Sequence, residues 1–227
     1  MGLFSKQNLT ARTSDSRYTI GEEIANSITH GLGAGLAIAG LIFLVYYSAA
    51  YGTIWHIVSC AIYGTTLVLL YTISTLYHSI PSPRFKSVMR ILDHSAIFLL
   101  IAGTYTPFTL VSLRGPWGWS LLGIIWGAAI LGILFQTALQ KSWVSLTVAL
   151  YVLMGWAIVV AVKPLLDVIP TEGFLLLLYG GLAYTLGTVF YIWKQMRFHH
   201  AIWHVFVLAG SVFHFFAVFY YVLPEVS

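Results

Sequence analysis

Apolar residues run along this chain in stretches of about 20, the length a helix needs to cross the hydrocarbon core of a bilayer. Seven such stretches are separated by polar or Gly/Pro breaks, near residues 27–50, 54–80, 91–113, 118–138, 143–162, 173–193 and 200–223. The breaks, "YGT", "PSPRFKSVMR", "RGPWG", "LQKS", "KPLLDVIPTE" and "KQMRFHH", are short, so consecutive helices should be antiparallel neighbours in one bundle. The pattern predicts an all-α fold: a polytopic membrane protein with a seven-transmembrane-helix bundle. Residues 1–26 form an N-terminal tail, 27–223 a single membrane domain and 224–227 a C-terminal tail. No internal repeat or low-complexity segment stands out. Gly31 with Gly35, and Gly123 with Gly127, form small-xxx-small pairs that are expected at close helix contacts.

Composition adds the solvent. With 59% apolar and only 8% charged residues, the chain has too few charges to cover a water-facing surface, so lipid surrounds most of it. The expected location is the cell (inner) membrane, crossed several times. The first twenty residues are polar, with no apolar run next to a small-residue cleavage site, and no cleaved leader is expected. A single cysteine, Cys60, excludes an internal disulfide and reads as a small buried side chain. The net charge of +4 is scattered over loops, which excludes a basic face for nucleic acid.

The placement of those charges sets the orientation. Lys6, Arg12, Arg17, Arg84, Lys86, Arg90, Lys141, Lys194 and Arg197 fall on one side, against Arg114 and Lys163 on the other. The positive-inside rule puts the N-terminus in the cytoplasm and the C-terminus outside. This is the reverse of a G-protein-coupled receptor. The seventh span also has no lysine for a retinal Schiff base.

Polar residues inside the spans then acquire a depth. His78 ends the second span in "STLYHS", Asp93 and His94 open the third in "LDHS", and His199, His200 and His204 open the seventh in "HHAIWH". All fall in the cytoplasmic leaflet. Ionisable groups there are costly and face a partner or a water cavity. His200 and His204, four apart, share one helical face and suit chelation of one metal, while His199 points about 100° away. With His78 they form a three-histidine set that leaves a position open for water, as in catalytic zinc sites. Copper, iron and nickel also accept imidazole. Asp93 fits two roles, a base for a water at the metal or a cap near the start of the third helix. Ser74 reads as a hydroxyl bonding back to its preceding turn, with support of the site as the alternative. His94 reads as an interface residue, His214 as an interhelical hydrogen bond too deep for the metal, and His56 as interfacial.

The segments "EEIANSITHG", "STLYHS", "LDHSAIFLLIAGTYTPF" and "HHAIWHVFVLAGSVFHF" resemble the bacterial hemolysin III branch of the progestin and adipoQ receptor (PAQR) family, which includes the adiponectin receptors. The resemblance runs from Glu22 to Tyr221. It implies a seven-helix bundle with a cytoplasmic N-terminus and one zinc per chain, held by His78, His200 and His204 with Asp93 and Ser74 beside it. It also implies kinship with membrane hydrolases of lipid amides such as ceramide, and with control of membrane fluidity. No counterpart of the long cytoplasmic domain that precedes the first helix of the receptors is expected, and with it no receptor-type signalling. Glu22, Asn26 and His30 match the family's first-helix pattern and are expected to hydrogen-bond within the bundle.

Three functions follow as expectations. The first is a zinc-dependent hydrolase, with ceramidase-like chemistry on an amide or ester bond, that takes a membrane lipid or fatty acid as substrate or ligand. The second is a non-catalytic sensor of lipid or membrane fluidity with structural zinc. The third is a pore-forming cytolysin, against which stand the missing export signal and the lack of a long amphipathic segment.

Overall fold

The computed structural model describes residues 18–139 and 144–224. Residues 140–143, both chain ends, and with them Lys6, Arg12, Arg17 and Lys141, lie outside the described residues. The elements in chain order are α1 (Ile20–Tyr51), α2 (Ile54–Ser79), α3 (Pro83–Pro107), a π-helical segment (Phe108–Ser112), α4 (Pro116–Leu139), α5 (Val144–Gly155), a 3-10 turn (Trp156–Ala161), α6 (Val162–Leu166), α7 (Thr171–Ile192) and α8 (His199–Tyr221). Seven helical stretches are long and apolar enough to cross a membrane. The fifth is composite, running through α5, the 3-10 turn and α6.

Two helices begin earlier than hydropathy suggests, each for a local reason. Thr19 caps α1 and closes a capping box with Glu22, whose side chain accepts from the Thr19 backbone N–H at 2.8 Å. The helix therefore starts at Ile20 rather than near residue 27. Ser82 precedes α3 and Pro83 occupies its first position, where a proline forfeits no helical hydrogen bond. Most of the expected "PSPRFKSVMR" loop is thus helix. At the other end of α3, Pro107 lacks the N–H that would continue the ladder, and the chain relaxes into the π segment.

The burial pattern is that of a protein dissolved in lipid. Ile24, Ile28, Leu32 and Leu36 form an exposed stripe along α1, with Leu32 at 64%, while Asn26 and His30 on the same helix are enclosed. Polar groups sit inside because hydrocarbon offers them no partner. α1 packs on α2, α2 on α3, α3 on α4 and α7 on α8, and α8 returns to lie against α1. That last contact joins the first helix to the last and positions the site described below. Close approach of α1 to α2 depends on Gly33, where a Cβ would come within 2.5 Å of the Tyr71 ring. Tyr71 is itself held by donating its hydroxyl hydrogen to Ser211 Oγ at 2.7 Å.

The small-residue pairs behave differently from expectation. A Cβ at Gly31 would lie 3.7 Å from the Thr75 methyl group of α2, an ordinary contact, and one at Gly35, Gly123 or Gly127 would meet nothing within 4 Å. The α4 pair thus has open space where its side chains would project, and no helix packs closely over it among the described residues.

Candidate metal centre

Two helix ends meet here. His78 occupies the last turn of α2, while His200 and His204 occupy the first two turns of α8. One ring nitrogen from each lies within 4.8 Å of the others, and all three side chains are buried. Among the described residues, theirs is the group able to hold a metal.

The start of α8 is set sharply. Phe198 adopts φ 57°, the left-handed region, and its N–H donates to Glu22 Oε1 at 3.1 Å. His199 turns away as expected, its Nδ1 hydrogen-bonding to the Phe190 carbonyl at 3.0 Å. His200 and His204 then face inward one turn apart, with ring centroids separated by 4.6 Å.

The outer nitrogens decide which atoms remain for a metal. His78 Nδ1 lies 2.6 Å from Glu23 Oε2. A carboxylate accepts only, so Nδ1 carries the hydrogen and Nε2 keeps its lone pair. His204 Nδ1 faces Thr29 Oγ1 at 3.1 Å and the Asn26 carbonyl at 3.3 Å. The Thr29 hydroxyl already donates to the Ala25 and Asn26 carbonyls, both at 2.9 Å. His204 is therefore the donor at Nδ1, and its Nε2 is also bare. His78 Nε2, His204 Nε2 and both nitrogens of His200 are buried with no hydrogen-bond partner. Buried polar atoms without partners cost about 1–3 kcal/mol each. Three imidazoles whose unpartnered ring nitrogens lie this close fit a borderline metal such as zinc, and the outer bonds to Glu23 and to the Asn26 carbonyl are the usual supports of such ligands.

Asp93 is buried in α3, about three turns beyond Pro83. This removes the capping role, since the free N–H groups of a helix lie in its first turn. Its carboxylate feels the Ser74 hydroxyl and the imidazoles of His94 and His78. Ser74 does not bond back to its own helix; its Oγ is buried without a formed hydrogen bond one turn before His78. His94 points toward α4, where Gln136 Nε2 donates to its Nδ1 at 3.2 Å.

The other histidines divide. His214 Nε2 donates to the Leu177 carbonyl at 3.1 Å, an interhelical bond as expected. His56 accepts from the Thr53 N–H at 3.1 Å and caps α2. His30 departs from the expected bundle hydrogen bonding. It stacks on His204 with centroids 3.4 Å apart and has no partner at either nitrogen. It also lines an apolar interior cavity of about 120 Å³ that reaches Asp93 at one place and His214 at another, between walls that include Leu70, Ile97, Leu100 and Val207.

Glu23 and Thr29 are the site residues that motif reading passed over. Their signal lay in spacing: Glu23, Asn26, Thr29 and His30 recur at three- and four-residue steps, a polar face on an otherwise apolar helix.

Comparison with known proteins agrees over nearly the whole chain. The model of the family described as Haemolysin-III related matches residues 18–215. Hemolysin-3 of Bacillus cereus is 48% identical over 219 residues, covering 96% of this chain and all of that protein. The Hemolysin-3 homolog of Bacillus subtilis is 51% identical over 90% of this chain and 96% of its own length. Monocyte to macrophage differentiation factor of Homo sapiens is 29% identical over 92% of this chain and 88% of its own. No solved structure matches significantly. With its seven apolar helices, the chain is a multi-pass membrane protein that belongs to the haemolysin-III related family.

Proposed function

We propose that this protein is a zinc-dependent hydrolase of a lipid amide or ester bond that serves membrane lipid homeostasis. The observation that carries the reading is the convergence of bare, buried nitrogens from His78, His200 and His204 beside the buried carboxylate of Asp93. Zinc held by these three residues would supply Lewis acidity for a carbonyl and acidify a water toward a pKa of about 7. Asp93 would take the proton released as water attacks and return it to the leaving amine or alcohol. Ser74, buried one turn before His78 with its hydroxyl unpartnered, would keep that carboxylate oriented. The apolar cavity running inward from Asp93 would take hydrocarbon of the substrate and exclude bulk water. The names of the Bacillus relatives refer to hemolysis. Here His78, His200 and His204 gather in one buried group, an arrangement that suits chemistry on a membrane lipid better than a water-filled pore.

Protein purified without chelators is expected to carry about one zinc per chain, and His200→Ala or His78→Ala to abolish it, whereas His199→Ala retains it. Lipidomic comparison of membranes with and without the protein should then reveal a hydrolysed lipid class. Absence of zinc enrichment in the wild type would sink the reading.

A further inference from the structure

α1 donates no candidate ligand, yet its polar face carries the outer partners of two of them. We propose that Glu23, clasped by Lys86, is a positioning residue for the metal centre: it fixes the tautomer of His78 and so sets metal affinity. The proposal rests on the metal-centre reading above.

The argument begins with the two neighbours of His78 Nδ1. Glu23 Oε2 lies 2.6 Å away and accepts, while Asn26 Nδ2 lies 3.3 Å away and donates. These neighbours demand opposite tautomers. Under Glu23, Nδ1 holds the hydrogen and Nε2 presents a lone pair to the other two histidines. Under Asn26 alone, Nδ1 accepts, Nε2 holds the hydrogen, and an N–H points where a cation would sit. The shorter, charge-assisted contact prevails, and the carboxylate selects the binding-competent ring. Glu23 is about 15% exposed and, with His78 and Lys86, lines a pocket open to solvent, so water can take its place when it is removed; water both donates and accepts, and so does not select the tautomer as a carboxylate does.

Lys86 makes the selection firm. Its Nζ lies 2.5 Å from Glu23 Oε1, so the two carboxylate oxygens are held in different directions, one by α2 and the other by α3. The pair is only about 15% exposed on each side, which limits screening by solvent. His204 needs no such device. The Asn26 backbone carbonyl orients its Nδ1, and no side-chain substitution removes that acceptor. Sensitivity to the outer shell should therefore concentrate at His78 and trace to Glu23.

The test is a zinc titration of metal-free protein against a competing chelator, with the melting temperature of the metal-free form followed in parallel. Glu23→Ala should bind zinc about 10- to 100-fold more weakly, the usual effect of losing an outer-shell partner. Glu23→Gln retains an acceptor oxygen and should recover much of that loss. Lys86→Met should weaken binding by less than Glu23→Ala, and Glu172→Gln, exposed in the first turn of α7, should leave it unchanged. Metal-free melting temperatures should stay close together across Glu23→Gln, Lys86→Met and Glu172→Gln, which a merely structural role would not give. Wild-type affinity in Glu23→Ala, with zinc lost in His78→Ala, overturns the positioning role and leaves the metal centre standing. A wild type that binds no zinc overturns both. If Glu23→Ala does not fold, Glu23→Gln and Lys86→Met carry the test, and wild-type affinity in both overturns the proposal.

Discussion

Replacing Asp93 by asparagine separates a hydrolase from a protein in which the metal is only structural. The substitution conserves size and keeps an oxygen able to meet the Ser74 hydroxyl, but it removes the base. No cap is lost, because Ser82 precedes a helix that begins at Pro83. Asp93 is also not one of the three residues of the candidate ligand group. Zinc content and metal-free melting should therefore remain near wild type. Turnover should fall by about 10²- to 10⁴-fold, the contribution of a positioned general base. At 1.36 kcal/mol per tenfold, that is about 2.7–5.4 kcal/mol of transition-state stabilisation. The assay follows the lipid class identified by lipidomics, with product measured by mass spectrometry and metal measured on the same preparation. Loss of zinc would instead make Asp93 a ligand. Full zinc with unaltered turnover would refute the base, and it would favour a sensor in which the ion ties α2 to α8.

Two further outcomes test the fold. A reporter inserted in the Pro81–Arg90 segment should read as cytoplasmic and one fused after Ser227 as external, as the positive-inside rule requires; reversed signals would move the metal centre to the other leaflet. Gly33→Ala should destabilise the metal-free protein by about 1–3 kcal/mol, because the added methyl meets a Tyr71 ring that is buried and hydrogen-bonded. Thermal melting in detergent equal to wild type would show that α1 and α2 do not approach as closely as this.

What the sequence determined by itself is what neighbours along the chain suffice to specify. Hydropathy depends on local composition, so the seven spans could be counted, though not their first residues: the Thr19 capping box and Pro83 extend α1 and α3 beyond the apolar runs. Helical periodicity likewise placed His200 and His204 on one face and turned His199 aside. Tertiary structure decided everything that depends on how each helix is rotated about its axis and on which helices touch. The Gly123–Gly127 pair carries a packing motif, yet open space lies where its side chains would project. Asp93 looked equally suited to cap or base until α3 acquired its true start. Glu23 gave no motif signal, because its partners His78 and Lys86 lie 55 and 63 residues away and belong to other helices. Their meeting depends on α1 packing against α2 through Gly33, and His204 reaches Asn26 and Thr29 because α8 closes the bundle onto α1. Lipid drives each apolar helix into the membrane without fixing its rotation; side-chain packing and the need to pair buried polar atoms fix it.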